Sequence, residues 1–268
     1  MRRRALGVDF SGARDAGRAI WVAEGRIGQR GLELIDCRPA AELPGGARDR
    51  ATALAALVAH LGAQSDAVIG CDFPVGLPKK LVREADWPGF LVRFAKRHGS
   101  ADAFRADCRK RSNGRELRRP TDIAAKTPFC AWNLRLYRQT YHGIADLLAP
   151  LVAAGLATVG PMQAAVDGRA WILETCPASV LKKLGLYRPY KGRAAALARS
   201  RGAILEALVA HGALAKPVPK LRARLIEDRG GDALDAVIAC LAAAAAARRK
   251  HPPASAAEML EGKVYFDI

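Results

Sequence analysis

Five carboxylates in this sequence stand where packing alone does not call for an acid. Asp9 ends the apolar run LGVD and Asp72 ends VIGCD, each just before a turn containing Gly or Pro. Glu174 ends a third run, WILE, before TCP. That pattern marks the carboxyl end of a buried strand, where ligands of open α/β sheets bind. One such acid alone would read as the cap of a turn or helix. Three at three strand ends point to a shared site. Carboxylates held close repel one another, and burial makes the repulsion worse. A divalent cation offsets both costs, and an all-oxygen ligand set suits Mg2+ or Mn2+.

A further pair lies in GGDALDAVIAC. Asp232 and Asp235 are three apart, so they share one helical face. They fall in the first turn, where the helix dipole itself favours negative charge. The helix beyond them is almost wholly apolar, hence buried, so acids at its mouth are not explained by solvation. Asp9, Asp72, Glu174, Asp232 and Asp235 are therefore the candidate catalytic residues. Asp9, Asp72, Asp232 and Asp235 are the candidate metal ligands, for Mg2+ or Mn2+. Two cations about 4 Å apart would clamp a phosphate for in-line hydrolysis.

The candidate substrate contacts are polar. Arg109, Lys110, Arg111, Arg115, Arg118 and Arg119 crowd a polar stretch suited to a phosphate backbone. Thr121, Asp122 and Gln139 either line the cleft or serve local capping. Lys191 either meets a phosphate, offsets the acids or is solvated. Ser11, with Gly12 and Gly17 in SGARDAGR, could cradle a phosphate beside Asp9. There is no GxxxxGKS or GxxxxGKT motif. The five His show no HxH or HExxH spacing, which disfavours a zinc hydrolase. Ser11 and Ser179 lie in no nucleophile elbow.

The elements that must position these residues follow from patterning. RALGVDF, RAIWVAE and LELIDCR read as three strands joined by Gly-containing turns, an antiparallel meander. RDRATALAALVAHLGA has helical spacing and ends near Gly62. DAVIGCDFP and GRAWILETCP are continuous apolar runs, as expected of parallel strands covered on both faces. Helices are predicted over 129–153, 177–184, 193–212 and from near Gly231 to about Arg249, and the tail KVYFDI suits a short edge strand. Residues 79–128 read as a helical insertion carrying a mobile basic loop, 105–119. The fold class is α/β: a mixed sheet of three antiparallel and two parallel strands, with helices on both faces.

In this order the strings GVDFSGA, GCDFPVGLP, RRPTD, QT, ETCPA, YK and GDALDAVIA resemble the predicted nucleases of a large domain-of-unknown-function family with a ribonuclease H-like fold. The resemblance runs from residue 5 to about 266. It implies one ribonuclease H-like domain over 1–268 and a two-metal site. Asp9 would be the first-strand acid bridging two metals, Asp72 the second-strand acid, and Asp232 and Asp235 a resolvase-like pair on the terminal helix. Glu174 falls in the ET.PA string, which the wider superfamily does not require.

Composition bounds the partners. A net charge of +17 and a pI near 10.2 attract polyanions, so nucleic acid or a nucleotide is the expected partner. An Ala-, Arg- and Gly-rich genomic bias would give the same excess. Six scattered cysteines without a CxxC pair fit a reducing cytosol and disfavour a zinc ribbon. The longest apolar run, 233–247, is too short for a bilayer and no signal peptide is evident, so a cytoplasmic protein without a membrane role is expected. The expectation is a nuclease acting by two-metal hydrolysis. The alternatives are an actin-like-ATPase-type phosphotransferase and a non-catalytic nucleic-acid-binding protein.

Overall fold

The computed structural model describes residues 2–29 and 31–268. β1 (Arg4–Asp9), β2 (Trp21–Gly28) and β3 (Gly31–Pro39) form the expected antiparallel meander, with the one-turn helix α1 (Ala16–Ala19) between the first two strands. Asp49 then caps α2 (Arg50–Gly62) by accepting from Thr52 N at 2.9 Å. α2 returns the chain to β4 (Ala67–Cys71), which pairs parallel to β1. The sheet order is β3-β2-β1-β4-β6-β5, with β5 (Ala157–Gly160) and β6 (Ala170–Thr175) parallel to β4. β7 (Val264–Tyr265) pairs with β6 at Glu174 and Thr175.

The parallel half thus holds four strands: the two predicted, β7 in the tail expected to form a short edge strand, and β5. β5, a four-residue run directly behind a helix, was not predicted; it is selected by pairing with β6, which no local pattern reports.

The insertion after β4 contains α3 (Trp87–His98), α4 (Ala101–Arg111) and α5 (Pro120–Ala124). The predicted mobile basic loop is half helix. Ser100 caps α4, accepting from Ala103 N at 3.1 Å, and Ala101, Phe104 and Cys108 give it a buried stripe at helical spacing. Arg111 is bound to the Leu81 and Lys80 carbonyls. The helix predicted from 129 begins later, as α6 (Tyr137–His142). It continues through a π-helical segment, Gly143–Leu148, into α7 (Ala149–Ala153). Residues 128–136 form bends and turns instead, closed by Asn133 N donating to the Cys130 carbonyl at 3.0 Å and Leu136 N to the Asn133 carbonyl at 2.9 Å.

Alternation along the strands divides the core in two. Leu6, Val8, Ile69, Cys71 and Ile172 pack with α2, α3, α4, α6 and α7 on one face. Ala5, Val68 and Leu173 pack on the other with α8 (Pro177–Lys183), α9 (Ala195–Ala210), α10 (Pro219–Glu227) and α11 (Asp232–Arg248). α10 was not predicted. α12 (Ala256–Glu261) closes the insertion side against α3. No single helix among the described residues is long and apolar enough to cross a membrane.

α11 sits closest to the sheet. A Cβ on Gly7 would collide with the Ala236 carbonyl and the Cys240 backbone, and one on Gly70 with the Ala239 carbonyl. Gly in the strands and Ala in the helix let the two backbones approach. Gly7 is two residues before Asp9 and Gly70 two before Asp72. With a side-chain period of two, both acids lie on the face that α11 covers.

Candidate active site

Gly7 is the register partner of Gly70 and Val8 that of Cys71. One step further, Asp72 N donates to the Val8 carbonyl at 2.9 Å, which brings Asp9 and Asp72 side by side at the carboxyl ends of the central strands. The N-terminus of α11 meets them there. Asp228 accepts from Ala233 N at 2.9 Å and starts that helix, so Asp232 and Asp235 open it.

The four acids share one field. Burial lifts the Asp9 pKa well above the usual carboxylate range, and the charges of Asp235, Asp232 and Asp72 add to the rise. Burial and then Asp235 push Asp72 up to about 8. Asp235 and Asp232 are also raised, chiefly by burial. Lys191 works against all four. Its ammonium lies 2.6 Å from Asp235 Oδ2 and 3.4 Å from Asp232 Oδ1. In turn the acids raise its own pKa despite burial. Tyr190 donates its hydroxyl to Asp235 Oδ1 at 2.6 Å.

Among the described residues no three His, Cys, Asp or Glu side chains are arranged as ligands of one metal ion. The donor set nevertheless has the right chemistry for a hard divalent cation: oxygen only, crowded and short of positive charge. In this arrangement the positive charge comes from Lys191.

Glu174 belongs to a different network. It pairs in register with Cys71, not with Asp72, and so leaves the opposite face of the sheet. There it accepts from Val75 N at 3.0 Å and forms a two-pronged pair with the fully buried Arg119, one contact at 2.8 Å and the other through Glu174 Oε1. Arg119 also binds Asp122 Oδ1 at 2.7 Å and the Glu261 carbonyl at 2.9 Å, tying insertion, sheet and C-terminal segment together. Burial raises the Glu174 pKa and Arg119 opposes the rise.

A cavity of about 620 Å3 opens beside the acids. Asp72, Asp235, Lys191 and Gln139 line it, as do Glu174, Arg119 and Asp122 in their closed network. The Gln139 amide donates to the Asp72 carbonyl and so fixes the turn after β4. Asp9 and Asp232 do not line it. The other predicted contacts are elsewhere. Thr121 Oγ1 accepts from Val264 N at 2.8 Å and anchors β7. Ser11 accepts weakly from Ala13 N at 3.3 Å. Arg109 is exposed on α4, and neither it nor Arg111 lines the cavity.

Residues 7–257 match a family described as proteins of unknown function (DUF429). The chain belongs to that family. No curated protein and no solved structure matches it. Family membership carries no activity with it, so a function for this DUF429 member has to come from the site.

Sequence reasoning missed Tyr190, which orients Asp235, and Asp228, which caps α11. It also missed Phe129, Arg135, Tyr187 and Arg188 at the cavity. An acid just ahead of the GG of α11 was one available signal. The aromatic-basic alternation of LYRPYK was the other.

Proposed function

We propose that the chain is a metal-dependent phosphodiesterase acting on nucleic acid or a nucleotide-like substrate, on a ribonuclease H-like fold. One observation carries the reading. Four acids from β1, the end of β4 and the start of α11 meet at the carboxyl ends of the central parallel strands and raise one another's pKa beside an open cavity. Perturbed, coupled carboxylates in a cleft are a functional signal.

Asp9, Asp72 and Asp235, with Asp232, would hold Mg2+ or Mn2+. Bound there, the cations would supply a nucleophilic water at neutral pH and charge for the leaving oxygen. The remaining work belongs to the protein. Tyr190 holds Asp235 in one orientation, Gln139 fixes the backbone of Asp72, and Lys191 neutralises the acids and presents a cation to a phosphate. Glu174 acts as a positioning residue: with Arg119 it secures the segment after β4 against the insertion.

The phosphotransferase alternative gains nothing from the SGARDAGR stretch, whose glycines could have cradled a phosphate. Gly12 lies against the backbone of Arg138 and Gly17 against that of Ala47, so both glycines are consumed by packing.

The test is cleavage of labelled single- and double-stranded DNA and RNA with Mn2+, and with EDTA as control, beside thermal melts of the parent and Asp9→Asn. We expect cleavage only with Mn2+, its loss in Asp9→Asn, and a Mn2+-induced rise in melting temperature that is larger for the parent. In EDTA the variant should melt no lower than the parent, because it loses repulsion. A variant that melts much lower in EDTA, with both proteins indifferent to Mn2+, makes Asp9 a packing residue and defeats the reading.

A further inference from the structure

The mouth of the cavity differs in chemistry from its floor. Tyr187 stands 55 % exposed on one rim, in a stretch without helix or strand. Phe129 lines the cavity from the segment after α5. Each ring carries a cation on one side: the Arg135 guanidinium lies 5.5 Å from the Phe129 centroid and Lys182 Nζ 5.3 Å from that of Tyr187. Lys182 also donates to the Lys126 carbonyl at 2.8 Å, so one ammonium joins the Tyr187 rim to the segment that bears Phe129. Arg188, next to Tyr187, and Lys191 line the same cavity.

Resting on the functional reading above, we infer that this mouth binds an unpaired nucleotide of a single-stranded nucleic acid, stacking its base on Tyr187 or Phe129. Three features specify that ligand. Aromatic faces flanked by Arg and Lys are the usual platform for unpaired bases, whose flat faces stack while the cations follow the phosphates. A duplex keeps both faces of its internal bases stacked and cannot offer them to rings set at a cavity mouth. The volume lies within the roughly 300–1,000 Å3 of pockets that enclose a small ligand, which suits one nucleotide unit and not a helix.

The rim also leads to the acids. Tyr187 and Lys191 are four residues apart, a reach of at most roughly 14 Å. A base on Tyr187 therefore sets the adjoining phosphates on the path to Lys191 and Asp235. The exposed Arg135 and Arg188 extend the basic track outward, which fits a strand continuing past the mouth better than an isolated nucleotide.

The experiment is fluorescence anisotropy of the full chain in EDTA, so that nothing is cut, with a short labelled single-stranded oligonucleotide, the matching duplex, and an unlabelled mononucleotide as competitor. Of Tyr187→Ala and Phe129→Ala, the one that removes the stacking ring should weaken single-strand binding roughly 5- to 150-fold, the range for loss of one base–aromatic stack. Tyr187→Phe should retain it, and duplex binding should change little. Thermal melts would show whether each variant keeps its fold. Because Tyr187 is the more exposed ring, its variants decide the case should Phe129→Ala melt early. The inference is overturned if the Ala variants bind single strands as the parent does, if duplex binding falls equally, or if the mononucleotide displaces the oligonucleotide at equal concentration. Its failure is separable from that of the metal reading. Ring-independent binding with an intact Mn2+ response dependent on Asp9 sinks only the inference. Ring-dependent binding with no Mn2+ response sinks only the metal reading.

Discussion

Asp72 shows what clustered acids cost a metal-free protein. Its folded pKa of about 8, set by burial and by Asp235, lies far above the unfolded value of about 3.9. A carboxyl with a raised folded pKa contributes its stability fully below the unfolded pKa and loses it as pH climbs through the folded one. The loss therefore falls between about pH 4 and pH 8. Asp72→Asn cannot ionise and escapes it. In EDTA the variant should match the parent near pH 4 and become progressively more stable up to about pH 9. Thermal melts across that range check this, and a constant offset would mean that Asp72 is not desolvated. Asp9, Asp72, Asp232 and Asp235 were legible in the sequence because each ends an apolar run or opens an apolar helix. The attachment of Glu174 to Arg119 was not. It depends on a one-residue offset of β6 against β4, and strand register is absent from local pattern.

At the scale of elements, the contact of α11 with β1 and β4 determines where Asp235 stands. A methyl on Gly70 would meet the Ala239 carbonyl, and backbone on both sides cannot swing aside. Gly70→Ala should lift the helix. The expected cost is about 1–3 kcal/mol in urea denaturation, as for overpacked cores. The Mn2+-induced rise in melting temperature should shrink with it, since Asp235 moves away from Asp9 and Asp72. A variant with parental stability and parental Mn2+ response would show that the helix position is not what sets the site. The meander, α2, β4, β6 and α11 were all readable as periodic segments with caps and breakers. The Ala-rich run was readable as a buried helix, but its intimacy with two strand glycines needed the pairing of Gly7 with Gly70. β5 and the start of α6 were decided by partners and turns outside their own residues.

Over the whole molecule, a net charge of +17 sets the range of attraction for a polyanion. Which surface the proposed strand would follow is measurable from salt. For single strands, log affinity falls against log salt by about 0.7 for each phosphate contacted. Arg111 is already committed to the Leu81 and Lys80 carbonyls, so Arg109 and Arg115 are the free probes of the α4 end of the insertion. If the strand crosses that end, Arg109→Ala with Arg115→Ala should flatten the slope by up to about 1.4, two contacts. An unchanged slope confines the contacts to the cavity mouth. The spacing of the acids has a consequence for synthesis. Asp9 and Asp72 are made early, while Asp232 and Asp235 come only after α11 has begun, more than two hundred residues after the first strand. Chains grow at roughly 5–20 residues per second, N-terminus first. For many seconds a ribosome therefore carries a chain with half the acidic set and no helix to complete it. An early-terminated product stays in that state. A nascent chain that ends short of α11 therefore lacks half of the acids on which the proposed chemistry depends.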